Sequence, residues 1–112
     1  MPFPVTTTFT IDGHRSKEYK AVARGIIVRS PTILQGIAGG LKSLIGGRIS
    51  SYSDMCEQAR AQAYDLLVQH AREMGANAIV GLRYDASEVV SKESATEVLC
   101  YGTAVVIEPE HQ

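Results

Sequence analysis

The chain is poor in the features that mark a dedicated chemistry. It holds two cysteines in 112 residues, Cys56 and Cys100, and they form no C-x-x-C pair. That excludes a disulfide framework, and a reducing, cytoplasmic setting is the simplest reading. No basic run exists: Lys and Arg are scattered from Arg15 to Lys92, and 11 of them nearly balance 12 acidic residues. A net charge of −1 argues against a nucleic-acid-binding arm or an acidic tail. The longest apolar stretch, Ile33 to Gly47, is shorter than the roughly 20 residues of a membrane span, and Lys42 interrupts it. The start, Met1-Pro2-Phe3-Pro4-Val5, has neither the charged region nor the apolar region of a signal peptide. We therefore expect no membrane or nucleic-acid partner.

What is present is the composition of a globular domain, 45% hydrophobic and 21% charged. The length suits one domain over residues 1–112, long enough to bury roughly two-thirds of its unfolded surface. Val5 to Thr10, rich in Thr and β-branched residues, predicts a strand, and Asp12-Gly13 a turn. Tyr19 to Arg29 predicts a strand apolar on both sides, with Val22, Ile26 and Val28 on one face and Ala21, Ala23 and Ile27 on the other. Ser30-Pro31 ends it. Ile33 to Ile45 predicts a glycine-weakened helix, broken by Gly46-Gly47.

Tyr52 to Met74 is the clearest helix. Ser50 or Ser51 would cap it, with Asp54 and Glu57 near the positive end of the dipole. Met55, Ala59, Ala63, Leu66, Leu67, His70 and Met74 gather on one stripe, while Tyr64 and Val68 fall beside the polar side, where a neighbouring subunit would use them. Gly75 ends the helix. Ala78, Val80, Leu82, Tyr84 and Ala86 alternate along a strand, with Ile79, Gly81, Arg83 and Asp85 opposite. Ser87 to Thr96 reads as a polar hairpin loop with frayed strand ends. Glu97 to Ile107 reads as a strand apolar on both faces, stopped by Pro109.

The order is β-β-α-α-β-β: an α+β, two-layer domain with an antiparallel-type sheet and its helices on one face. A lone antiparallel sheet usually leaves one face wet and polar. Strands apolar on both sides need a second cover, and another copy of the chain is the simplest one. Charging Val105 is then expected to disturb assembly.

Several blocks occur in order: Thr6-Thr7-Thr8, Ile11 with Gly13, Leu44-Ile45-Gly46-Gly47-Arg48, Tyr52, Ala59-Arg60, Gly75-Ala76-Asn77-Ala78-Ile79-Val80-Gly81 and Tyr101-Gly102-Thr103-Ala104-Val105. Together, over Val5 to Ile107, they resemble the YbjQ-like family, catalogued under heavy-metal binding and without an established function. The resemblance implies a dodecin-like α+β subunit, a ring-shaped homopentamer and cytoplasmic residence. Two departures stand out: Leu34-Gln35-Gly36-Ile37-Ala38-Gly39-Gly40 where family members often carry charge, and Ser53 where an acidic residue is common.

A soft-metal site needs thiolates and imidazoles converging on one point. Cys56, His70 and Cys100 are the candidates. Cys56 and His70 share a stripe but stand fourteen positions apart, roughly 21 Å along a helix. Cys100 reads as a packed thiol, and His70 as a core or interface histidine. His14 and His111 read as solvated. A heavy or transition metal bound across a symmetry axis stays open. Cys56, placed in a first helical turn, carries the alternative of a reactive thiolate; a plain stripe residue is favoured, since no histidine base is local. Gly46, Gly47 and Arg48 form a candidate anion cradle, against the favoured reading of a tight turn with a structural arginine. Gly36 to Ser43 approaches a P-loop but has Leu41 where glycine is required. Paired carboxylates are explained by capping and solubility, and no Ser-His-Asp set can be argued.

The leading reading is a non-enzymatic, cytoplasmic homo-oligomer, pentameric by resemblance, binding a small ligand or metal ion. An enzyme with a site between subunits, built on Arg48, Tyr52 or His70, is the second. A purely structural ring is the third.

Overall fold

A computed structural model describes residues 3–29, 47–90 and 94–110. They form, in order, β1 (His14–Arg29), α1 (Gly47–Glu73), β2 (Ala78–Val90) and β3 (Ser94–Pro109). The sheet is antiparallel with order β1-β3-β2. α1 lies on one of its faces, chiefly over β1 and then β3. The class is α+β and two-layered as expected, and the described elements run β-α-β-β, with one strand rather than two before the helix.

Val5 to Thr10 is not a regular strand. It runs beside β2 through one isolated parallel bridge, Val5 to Ile79, and a few backbone bonds, such as Thr6 N–H to Ile79 O at 3.1 Å and Gly81 N–H to Thr8 O at 2.8 Å. The threonines that argued for a strand turn their hydroxyls on their own backbone: Thr8 N–H donates to Thr6 Oγ1 at 3.1 Å, and Thr8 Oγ1 donates to Thr10 O at 2.7 Å. Such local bonds compete with a ladder. The helix expected over Ile33 to Ile45 lies outside the described residues. Between β2 and β3, pairing continues from Ser87↔Glu97 to Val90↔Ser94, where a polar loop was expected. Alternate pairs of an antiparallel ladder exchange backbone hydrogen bonds whether or not their side chains are wet.

α1 begins at Gly47, earlier than read. Gly47 is itself helical, so it does not hold the helix off until Tyr52. Ser50 and Ser51 therefore lie within the helix, and its first turn has no acidic residue. The buried row is Ala59, Ala63, Leu67 and Ala71. Tyr64 and Val68 pack at its side against the core, so the subunit itself uses them, whereas Leu66 is 40% exposed. Gly75 ends the helix at φ 86°, as expected. Ala76 N–H reaches Ala71 O and Gly75 N–H reaches Arg72 O, the paired bonds of a Schellman cap.

The helix sits close because Gly25 faces it. A Cβ there would meet Ala63 O at 1.9 Å and Leu67 N at 2.7 Å, so strand and helix backbones are in contact. Ala23, Cys100, Val98 and Ala104 complete this side of the core. β3 divides as its alternation predicts. Val98, Cys100 and Ala104 face α1, while Val105 joins Ala78 and Val80 in a second buried cluster on the far face, with Ile11 and Ile107 beside it.

β2 does not keep one alternation. The pairing steps from Val80↔Thr103 to Arg83↔Tyr101, so β2 carries one extra residue. Gly81, at φ 67°, forms this bulge, with the Phe9 ring against it. One extra residue exchanges the faces. Ala78 and Val80 point away from the helix, but Leu82 packs against the helix-side core and Tyr84 pairs with Cys100 on that side.

Candidate functional site: a buried thiol beside a phenol, an open strand edge and an apolar face

Among the described residues, three places gather groups of chemical interest. The first lies under α1. Cys100 is fully buried and shares a hydrogen bond with the Tyr84 phenol. Burial pushes the thiol above its ordinary value, an effect that Tyr84 partly offsets. Burial, then the neighbouring Cys100, pushes Tyr84 up to about 12. The Arg60 guanidinium stands 5.7 Å over the Tyr84 ring. A buried thiol whose proton is held by desolvation is a poor nucleophile and a poor metal ligand.

The second is the outer edge of β1. Its partner β3 occupies one side, and among the described residues no strand occupies the other. His70 reaches this edge from α1, and its Nδ1 accepts the Arg24 N–H at 3.1 Å. Beside the ring lies a cavity of about 330 Å³ lined by Arg24, Gly25, Ile26, Leu66, Gln69 and Glu73 together with His70.

The third is the far face of the sheet. Register places Val22, Ile26 and Val28 there opposite Thr103, Leu99 and Glu97, with Tyr19 opposite Val105. Tyr19 is 67% exposed, Val22 62%, Val28 58% and Ile26 43%. A second cavity, of about 440 Å³, lies at the start of β1 among His14, Arg15, Tyr19 and Glu110; His14 Nδ1 is 3.1 Å from Asp12 O, and Arg15 pairs with Glu108.

The residues singled out in the sequence do not converge. Cys56 is exposed and is the tenth residue of α1, so the helix-dipole argument for a first-turn thiolate lapses. His70 occupies the outer side of β1, and Cys100 lies on the middle strand under the helix, with β1 between them. Among the described residues no three His, Cys, Asp or Glu side chains are grouped to hold a metal. A metal site within one subunit does not fit Cys56, His70 and Cys100. Gly47 and Arg48 are the first residues of α1, Tyr52 lies within it, and Gly46 is outside the described residues.

Two residues escaped the sequence reading. Gly25 was passed over, although glycine inside a strand signals close approach of another backbone. Asn77 was taken only as part of a motif. Its side chain pairs with both backbone groups of Ile107: Nδ2 donates to Ile107 O at 3.1 Å, and Oδ1 accepts Ile107 N–H at 2.7 Å. The amide extends the β2–β3 ladder by one step beyond Ala78↔Val105.

Comparison with known proteins adds a family. The YbjQ family model, described as "Putative heavy-metal-binding", matches residues 3–108. A UPF0145 protein of Legionella pneumophila is 50% identical over 107 residues, 96% of this chain and 100% of the relative. A UPF0145 protein of Francisella tularensis is 52% identical over 103 residues, 92% of this chain and 97% of the relative. A solved structure from Pediococcus pentosaceus, of unknown function and assigned to the DUF74 family, superposes with a TM-score of 0.64 at 21% identity, covering 93% of this chain and 96% of that one. That likeness supports the fold. Among the described residues no helix is long and apolar enough to cross a membrane.

Proposed function

Because the chain belongs to the YbjQ family, we propose that it is a self-assembling, non-enzymatic protein: a cytoplasmic homo-oligomer, pentameric as the family resemblance implies, that takes a small ligand or metal ion where copies meet. One observation carries this reading. Tyr19, Val22, Ile26 and Val28 leave an apolar stripe open on the far face of an edge strand. Burying a valine or isoleucine side chain in full stabilises by about 1.5–3 kcal/mol, so a second copy over this stripe gains several such terms. Two free thiols suit a reducing compartment. Cys56, His70 and Cys100 do not converge within one subunit, so a heavy-metal ion would draw ligands from more than one copy.

Native mass spectrometry of protein purified without chelators or an affinity metal tests this. A pentamer with a stoichiometric adduct is expected. A bare pentamer retains assembly and removes the ligand, and a monomer overturns the proposal. Val105 is fully buried within the subunit, so charging it would unfold the chain rather than probe assembly. Val22→Asp and Val28→Asp are the informative variants. Each is expected to weaken the oligomer by about 2 kcal/mol per contact or more, with an unchanged circular-dichroism spectrum at low concentration.

A further inference from the structure

We propose that the cavity at the start of β1 binds a small organic cation: an ammonium group carried on a flat apolar body. Its size is the first ground. A volume of about 440 Å³ falls within the roughly 300–1,000 Å³ of small-molecule sites. Its floor is the second. Ile11 and Ile107 line the cavity and also pack on the buried cluster of Ala78, Val80 and Val105, so the floor is an extension of the core. Tyr19, largely exposed, adds an aromatic ring beside them. An apolar body seated there covers surface that water otherwise meets.

The rim sets the sign of the charge. Asp12 and Glu110 line the cavity, and among the described residues no cation pairs with either. Arg15 lines it too, but its guanidinium is paired with Glu108. An anion would therefore meet two carboxylates with the one guanidinium already engaged. An ammonium group meets both carboxylates as partners, and the face of an aromatic ring attracts it as well. The rim is also held in place. His14 N–H bonds Ile11 O at 3.0 Å, and Glu110 N–H bonds Gly13 O at 2.9 Å, which ties the turn to the end of β3. Asp12 O can only accept, so His14 Nδ1 donates to it over 3.1 Å and the ring is pinned at the side of the cavity. A rim fixed before the ligand arrives lowers the entropy lost on binding.

This rests on the reading above only in that a small ligand is bound, and it names the class of that ligand. Every lining residue belongs to one chain, so the cavity can fail while assembly stands, and the copy number from native mass spectrometry separates the two. The test is an NMR titration of the full chain at low ionic strength with two probes that share a phenyl ring and a short chain, phenethylammonium and phenylpropionate. The ammonium is expected to shift the Ile107 methyl and Tyr19 ring signals saturably, and to bind roughly tenfold or more tightly than the carboxylate, as reversing the charge against two exposed carboxylates requires. Glu110→Gln keeps the backbone bond to Gly13 and is expected to weaken the ammonium by about 2- to 5-fold, the worth of an exposed ion pair. No saturable shift at these residues, equal binding of the two probes, tighter binding of the carboxylate, or an ammonium affinity unchanged in Glu110→Gln overturns the proposal.

Discussion

Replacing Gly25 by alanine tests the central packing claim, that α1 and β1 touch backbone to backbone. The new Cβ would lie 1.9 Å from Ala63 O, 2.7 Å from Leu67 N and 2.9 Å from Leu66 Cβ. The first two are main-chain atoms and cannot rotate aside. To restore even a 3.0 Å contact the helix must retreat by about 1 Å. A gap of that size forfeits roughly a quarter to a half of each dispersion contact across it. Leu67 alone, at about 40–60 contacts of about 0.1–0.2 kcal/mol, stands to lose about 1–6 kcal/mol, and Ala59, Ala63 and Ala71 share the same row. We expect a loss of about 3 kcal/mol or more, at or beyond the upper end for overpacking. The chain's whole stability is about 6–17 kcal/mol at typical values per residue. Urea unfolding at one fixed protein concentration, followed by circular dichroism, should show the midpoint falling by roughly 1.5 M for a slope near 2 kcal/mol/M. Gly102→Ala is the comparison. Its Cβ meets Ile79 Cγ2 at 2.6 Å and backbone only at 3.1 Å, so it should cost less. A Gly25→Ala midpoint within about 0.3 M of the natural chain, or above that of Gly102→Ala, would refute the close helix–strand contact.

Asn77→Ala removes both side-chain bonds to Ile107 and should cost about 1–3 kcal/mol in the same assay, while Asn77→Asp, which keeps the acceptor but loses the donor, should fall between. Burial holds the Cys100 thiol above its ordinary 9.0, so the folded chain keeps that proton after the unfolded chain has released it. Stability from this group is therefore complete below about pH 9 and falls as pH rises past it. Tyr84 extends the fall from pH 10 toward about 12. Thermal melts from pH 7 to 11 should show the decline, and Cys100→Ser should remove its first part. Alkylation of the folded chain at neutral pH should label exposed Cys56 alone, with Cys100 reacting only after denaturation; rapid double labelling would contradict its burial.

Where a property depends on neighbours in sequence, the residues already declare it. The face division of β1 and β3, the Gly75 cap and the α+β class all follow from alternation and from one glycine. The misreadings share a different cause. Gly81 looks like any small residue in an alternating run, and only its pairing with β3 turns it into a bulge that moves Leu82 and Tyr84 to the helix side. Thr6 to Thr10 satisfies strand propensity, yet the same hydroxyls bond their own backbone. The helix reaches back before Tyr52 because Gly47, which reads as a breaker, is itself helical.

The candidate sites show the same boundary more sharply. The separation of Cys56 from His70 could be read along one helix, and it stands. What His70 does could not, because its partner is a backbone amide 46 positions away. The same is true of Cys100, whose character comes from its burial under α1 and from Tyr84 on the neighbouring strand. The apolar face of β1 was visible as a pattern, and the fold leaves it on the outside of the subunit rather than against α1. The sheet has its one described helix on one face, held at backbone contact by an alanine row, and Tyr19, Val22, Ile26 and Val28 exposed on the other. No described element covers Val22 and Val28 on that second side, which makes them, rather than any ionisable residue, the positions on which the proposed assembly depends.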